Sequence, residues 1–231
     1  MYRHEMKYLI SERERDLIKE RLMLTASLDR HATDGFYMIR SLYFDDAFKS
    51  AYEEKISGTA TRRKYRIRTY NLSDSVISLE CKEKQGSYIL KRQAGLTREE
   101  AEAIICGDYG PLLRDPHPLK TEFYMRCMSD ALRPEVFVDY ERTPFVYEHG
   151  TVRITFDEHI RSAWTTYDLF DSGTPAFEVL PEGTLIMEIK YTEYLPEVFR
   201  DILPPAASSY VAASKYVLCQ DRRFGIQAYP V

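Results

Sequence analysis

The chain has 231 residues and a formal net charge of −4; 44% of the residues are apolar and 29% charged. That length accommodates one large β-rich domain as well as two small ones, with enough apolar content for a core, and the acidic balance gives no support to nucleic acid or a membrane surface as a partner. The four cysteines, Cys81, Cys106, Cys127 and Cys219, lack CxxC spacing, so neither a zinc site nor a redox pair is suggested, and free thiols imply a reducing, cytoplasmic compartment. No apolar run is long enough to cross a bilayer, so any membrane link would come through a partner protein.

Alternation from Arg3 to Ile10 predicts a first strand with Arg3, Glu5 and Lys7 on one face. Ser11, with Glu14 three residues on, reads as a capping box that opens a helix. A strand is predicted over residues 35–44, then a short helix carrying Ala51, Tyr52 and Ile56 and ending at Gly58. Arg62 to Tyr70 follows as a strongly basic strand, with Lys64, Arg66 and Arg68 on one face and Arg63, Tyr65 and Ile67 on the other. Ile77 to Lys84 is the next strand, where Glu80, Lys82 and Lys84 share a face; residues 85–87 turn the chain into a short return strand with Lys91 and Arg92.

Thr97 and Glu100 form a second capping box; helix is predicted to Ile105 and again over residues 119–132. This region, residues 97–132, reads as a helical insert within a single domain spanning residues 1–231. Long strands are predicted over 134–147, with Tyr140 and Arg142 on one face, and over 151–160, where Arg153, Thr155 and Asp157 alternate. Residues 165–173 read as a loop. Residues 176–180 and 185–191 predict a final hairpin about Pro181-Glu182-Gly183, with Glu188 and Lys190 on one face. Helices are predicted over 195–202 and 207–219, with Lys215 on the second.

Like charges repeated at every second position of a strand repel, so a fold gains nothing by placing them there. Cations outnumber carboxylates on these faces, opposite in sign to the whole chain. One reading is an open antiparallel sheet with a solvated face. The other is closure into a barrel with helices outside, the charged face becoming a lumen that holds an anion. Phosphate chains suit Arg and Lys pairs, through bidentate guanidinium contacts and mobile ammonium charges. Carboxylates in such a lumen would repel a polyphosphate unless a divalent cation lay between. Glu188, with Glu5 or Asp157, is therefore the candidate ligand for Mg²⁺ or Mn²⁺, against an internal salt bridge as the other reading for each acid.

The ordered segments Arg3-His4-Glu5-Met6-Lys7-Tyr8, Ser41-Leu42-Tyr43-Phe44-Asp45, Lys64-Tyr65-Arg66-Ile67-Arg68-Thr69-Tyr70, Leu79-Glu80-Cys81-Lys82, Tyr140-Glu141-Arg142, Val152 to Asp157, Met187-Glu188-Ile189-Lys190 and Ser214-Lys215-Tyr216 resemble the VTC domain, a polyphosphate polymerase domain of the CYTH-like triphosphate tunnel metalloenzymes. The resemblance implies an α+β fold: a closed antiparallel barrel, or tunnel, of some eight strands with helices packed outside. It implies phosphate-binding roles for Lys7, Lys82, Lys91, Tyr140, Arg142 and Lys215, with Arg66 and Arg68 gripping the nucleotide phosphates and Glu188 binding metal. Lys64, Arg153 and Lys190 join the phosphate-binding set from the charge pattern, and Glu5 joins the metal set. Arg66, Arg68, Lys82 and Lys215 are the catalytic candidates. Between Lys91 and Arg92, which lie close to a turn, Lys91 is the choice for the inward-facing cation. The first strand has one glutamate, Glu5, before Lys7, where the wider superfamily often carries Glu-x-Glu-x-Lys.

The activity implied is phosphoryl transfer from ATP to a growing polyphosphate chain. Alternatives are a metal-dependent tripolyphosphatase or nucleoside triphosphatase, and a non-catalytic polyphosphate-binding module. In each case Arg66 and Arg68 should face an enclosed space, and removing either should cost little stability when that space is empty.

Overall fold

The computed structural model describes residues 4–32, 34–86, 88–147, 152–192, 194–202 and 214–226. Arg3, the turn residues 148–151 and the predicted helical residues 207–213 lie outside them. The strands are β1 (His4–Ser11), β2 (Ser27–Leu28), β3 (Tyr37–Asp45), β4 (Thr61–Tyr70), β5 (Ser73–Gln85), β6 (Tyr88–Leu96), β7 (Arg133–Tyr147), β8 (Val152–Ala163), β9 (Phe177–Glu178) and β10 (Thr184–Tyr191). The helices are α1 (Glu12–Leu22), α2 (Ser50–Ile56), α3 (Arg98–Ile105), α4 (Pro118–Ser129), α5 (Glu197–Ile202) and α6 (Lys215–Phe224). Both capping boxes form: the Ser11 hydroxyl accepts from the Glu14 amide at 3.3 Å while the Glu14 carboxylate accepts from the Ser11 amide at 2.8 Å, and Thr97 and Glu100 repeat the exchange.

All ten strands belong to one antiparallel sheet, in the order β1-β10-β8-β7-β3-β4-β5-β6, with β2 added beside β7 and β9 beside β8. The closed barrel expected from the sequence is not formed. β1 pairs with β10 and β6 with β5, so among the described residues both ends of the ladder lack a further backbone partner. The sheet nonetheless curls until its ends approach, because Lys82 on β5 lies 3.7 Å from Glu5 on β1. The seam is bridged by side chains instead of backbone. Its edges also carry Lys7 and Lys91, and like charges set opposite one another on paired strands are destabilising. The predicted hairpin over 176–191 is also corrected: β9 pairs with β8 and β10 lies between β1 and β8, so the two segments do not pair with each other.

Period-two patterning decides which face packs. On the convex side Tyr65, Ile67, Leu79, Cys81 and Phe137 are buried with Ala101, Ile104 and Phe123 of α3 and α4. Ile154, Phe156, Met187 and Ile189 are buried in the same way with Ile18, Leu22 and Phe199 of α1 and α5. Each large side chain so buried contributes roughly 1.5–3 kcal/mol of transfer free energy. The concave side is apolar at one end only, where Ile39, Val136 and Val138 pack with Tyr216 and Leu218 of α6. The rest of the concave side is polar and forms a trough.

Candidate phosphate-binding site

Strand register fixes which side chains share the trough. Lys64, Arg66 and Arg68 of β4 stand opposite Lys82, Glu80 and Ser78 of β5, and Lys82 stands opposite Lys91 of β6. Across the other side, Arg66 and Arg68 oppose Tyr43 and Ser41 of β3, whose Ile39 and Tyr37 oppose Tyr140 and Arg142 of β7. Arg142 opposes Asp157 of β8; Thr155 and Arg153 oppose Glu188 and Lys190 of β10, which oppose Lys7 and Glu5 of β1. Lys215, the first residue of α6, reaches in to Asp157 at 2.5 Å. Every phosphate-binding and metal candidate named from the sequence therefore lies on this one face. Lys91 is inside, while Arg92 points outward to Glu122 and Glu83.

Two charge clusters organise the face. In the first, the Glu80 carboxylate, 3% exposed, accepts from Arg66 Nε at 2.8 Å and Nη2 at 2.5 Å, and from Lys91 Nζ at 2.7 Å, with Arg68 at 3.8 Å. Arg66 Nη1 donates to the Tyr43 hydroxyl at 2.6 Å; Arg68 donates to Ser41 Oγ at 3.1 Å and to the Tyr140 hydroxyl at 3.4 Å. Burial pushes the Glu80 carboxyl up, but Arg66, Arg68 and Lys91 outweigh it and hold it at about 2. In the second cluster, Asp157 is fully buried and takes a bidentate contact from Arg142, at 2.6 and 2.8 Å, as well as Lys215. Glu188 contacts Lys190 and lies 3.8 Å from Arg142; Glu5 lies 3.0 Å from Lys7. Burial opposes ionisation of Asp157 and Glu188, yet the surrounding cations keep both carboxyls below their usual range. Arg153 is held by Asp29 and the Tyr37 hydroxyl, each at 3.0 Å.

This pairing corrects one inference from charge pattern. The cations do not simply repel in an empty space. Glu80, Asp157 and Glu188 serve as internal counter-ions, so removing Arg66 or Arg68 would strand a buried carboxylate.

Lys64 differs from these. Its ammonium sits 4.5 Å from the centre of the Tyr216 ring, which stacks on Tyr43, and it lines an open pocket with Tyr43, Arg66, Glu80, Lys82 and Lys91. Burial first, then the charges of Lys55 and Arg62, push it down to about 7. Tyr43 and Tyr216 are members of the site that the charge pattern did not single out. Tyr43 carried a signal, since it shares strand parity with Ser41, Ile39 and Tyr37; Tyr216 reaches Lys64 and Tyr43 only because α6 packs on the concave side.

Among the described residues no group of three or more His, Cys, Asp and Glu side chains is placed to hold a metal ion. Glu5 and Glu188 are on adjacent strands and feel one another electrostatically. Two carboxylates fit Mg²⁺ or Mn²⁺ when phosphate oxygens and water complete the octahedron, which is how Mg²⁺ is commonly bound. They do not suffice for an all-protein metal cage.

The VTC domain family model matches residues 2–221. The chain belongs to the VTC domain family. Among solved structures, this VTC domain is similar to a Bacillus halodurans protein provisionally assigned as an adenylate cyclase, with 16% identity, a TM-score of 0.54, and coverage of 97% of this chain and 99% of that one. A Pyrococcus horikoshii protein is also 16% identical, with a TM-score of 0.49 and coverage of 96% and 100%. At such identity the first likeness shows a shared fold. No curated protein matches the sequence significantly. No helix among the described residues is long and apolar enough to cross a membrane. Family and cation-rich trough together point to tunnel-type chemistry on triphosphates.

Proposed function

We propose that this VTC domain transfers the γ-phosphoryl group of ATP to the end of a polyphosphate chain lying in the trough. The observation that carries the reading is the convergence of Lys7, Arg66, Arg68, Lys82, Arg142 and Lys215 from four strands and a helix onto one concave face. Phosphoryl transfer asks little covalent participation of a protein; it needs donor and acceptor held in line and charge neutralised. A terminal oxygen of the acceptor chain forms the new bond to the γ-phosphorus. The bond from that phosphorus to the β–γ bridging oxygen breaks, and ADP leaves with the electron pair. Arg66 and Arg68 would grip the donor phosphates, with Lys82 and Lys215 neutralising charge on either side. Lys7, Lys91, Tyr140, Arg142, Arg153 and Lys190 would line the remaining path. Glu188 and Glu5 would hold Mn²⁺ or Mg²⁺, which supplies charge neutralisation between phosphate oxygens.

Hydrolysis of a triphosphate is the second reading. Among the described residues β1 and β6 are not joined by backbone pairing, and a trough left open along that seam would admit water, which favours this reading. Incubation with ATP and Mn²⁺, measuring polyphosphate and free phosphate together, separates the readings. Long chains made by the wild type and absent with Glu188→Ala support the polymerase. Free phosphate alone supports hydrolysis. Binding without turnover leaves a polyphosphate-binding module.

A further inference from the structure

One end of the trough carries cations that the triphosphate site leaves unused. Arg62 lies directly opposite Lys84 across β4 and β5. The pair sits on the same face as Lys64, Lys82 and Lys91, which form one row across β4, β5 and β6. Lys55, in the last turn of α2, is within electrostatic reach of Arg62, Lys84 and, from β1, Lys7. Cross-strand pairs of like charge are destabilising. Among the described residues, Lys55, Lys64 and Lys84 have no carboxylate at ion-pair distance, and Arg62 donates to the Thr59 carbonyl at 2.7 Å instead. The neighbouring acids are engaged elsewhere: Glu80 holds Arg66 and Lys91, and Glu5 faces Lys7 and Lys82. Burial first, and then the charges of Lys55 and Arg62, lower the affinity of Lys64 for its proton. Such an arrangement weakens the free protein and is favoured once a polyanion lies along it.

We propose that Lys55, Arg62 and Lys84 form a distal phosphate-binding track, which takes the part of an extended polyphosphate chain lying beyond the phosphates held at Arg66 and Arg68. This rests on the triphosphate reading of the trough and deepens it. At roughly 3.3 Å per residue, the backbone of Arg62 is about 13 Å along β4 from that of Arg66, beyond a single triphosphate seated on Arg66 and Arg68. Ammonium and guanidinium groups pair with phosphate oxygens, so an unsubstituted phosphate chain is the ligand that this group of cations recognises. The track would make the protein prefer chains over short phosphates without altering how the first triphosphate is gripped.

The test compares tripolyphosphate, a long-chain polyphosphate and a single-stranded oligodeoxynucleotide of equal formal charge, each titrated by calorimetry across a salt series. The proteins are the wild type and the Lys55→Ala/Lys84→Ala double variant, whose thermal melt without ligand reports its fold. The track predicts that the wild type binds the long chain at least about tenfold more tightly than tripolyphosphate. It predicts that the double variant loses most of that gain, with a salt slope shallower by about two, one for each lost phosphate contact. Its tripolyphosphate affinity should stay within about twofold, since neither lysine contacts that subsite. Equal wild-type affinity for the two phosphates would overturn the track, as would an unchanged long-chain affinity in the double variant. An oligonucleotide that binds as tightly and loses as much would reduce the track to a general polyanion patch. Failure of tripolyphosphate to bind the wild type would bring down the triphosphate reading itself, an outcome distinct from the others.

Discussion

Glu80→Gln tests whether the trough is organised around internal counter-ions. Glu80 is 3% exposed and receives Arg66, Lys91 and, more distantly, Arg68. Its carboxyl is held at about 2 against a reference of 4.5. That difference corresponds to about 3 kcal/mol of stability at neutral pH. Because the folded-state value is depressed, the contribution is complete above pH 4.5 and is lost as pH falls toward 2. Glutamine keeps the shape and an acceptor oxygen but removes the charge. Urea denaturation of both proteins at pH 7 and at pH 3 provides the assay. The variant should be less stable by about 3 kcal/mol at pH 7, and the gap should narrow to roughly 1 kcal/mol at pH 3, where the wild-type contribution has mostly gone. Other titrating groups are common to both proteins and drop out of the comparison. A gap of the same size at both pH values, or no gap at pH 7, would refute the reasoning.

Three further outcomes follow from the same geometry. Arg66→Ala should destabilise the ligand-free protein by about 2–3 kcal/mol, measured by chemical denaturation, because Glu80 is left buried with Lys91 as its main partner; an unchanged midpoint would restore the picture of cations that merely repel. Lys64, held at about 7 with Lys55, Arg62, Lys82, Asp45, Arg66, Glu80 and Lys91 around it, is largely neutral at pH 8. Tripolyphosphate should favour its ammonium form, so binding at pH 8 takes up close to one more proton in the wild type than in Lys64→Arg, read by calorimetry in buffers of different ionisation enthalpy; equal uptake would contradict this. Glu188→Gln should abolish metal-dependent turnover while retaining tripolyphosphate binding in metal-free buffer; full activity in this variant would remove Glu188 from the metal site.

Parity along single strands made much of the trough legible. A basic residue at every second position from Lys64 to Arg68, and the spacing of Glu188 with Lys190, already specified which side chains share a face, since side-chain direction in a strand is local. The same holds for the two capping boxes. Closure was not legible, because it depends on whether β1 and β6 meet after the curvature of the whole sheet has accumulated, and no local residue pattern encodes that. The hairpin predicted over 176–191 failed for a related reason: a turn at Pro181-Glu182-Gly183 brings the chain back, yet β8 had already supplied the partner edge for both flanking segments. Tyr216 was hidden because it depends on a partner distant in sequence, α6 against β3, whereas the internal salt bridge that was one reading of Glu80 forms with Arg66 and Lys91 on the neighbouring strands.

The central claim is that the concave face binds a triphosphate through Arg66 and Arg68. Calorimetric titration of tripolyphosphate into the wild type, the Arg66→Ala/Arg68→Ala double variant and Arg63→Ala tests it most directly. Arg63 belongs to the same strand but points outward to Glu83 at 2.9 Å. The expected result is a loss of about 100-fold or more in the double variant, as two charge-assisted contacts disappear, with Arg63→Ala matching the wild type. Equal affinity in all three proteins, or an equal loss with Arg63→Ala, would contradict the placement of the site in the trough.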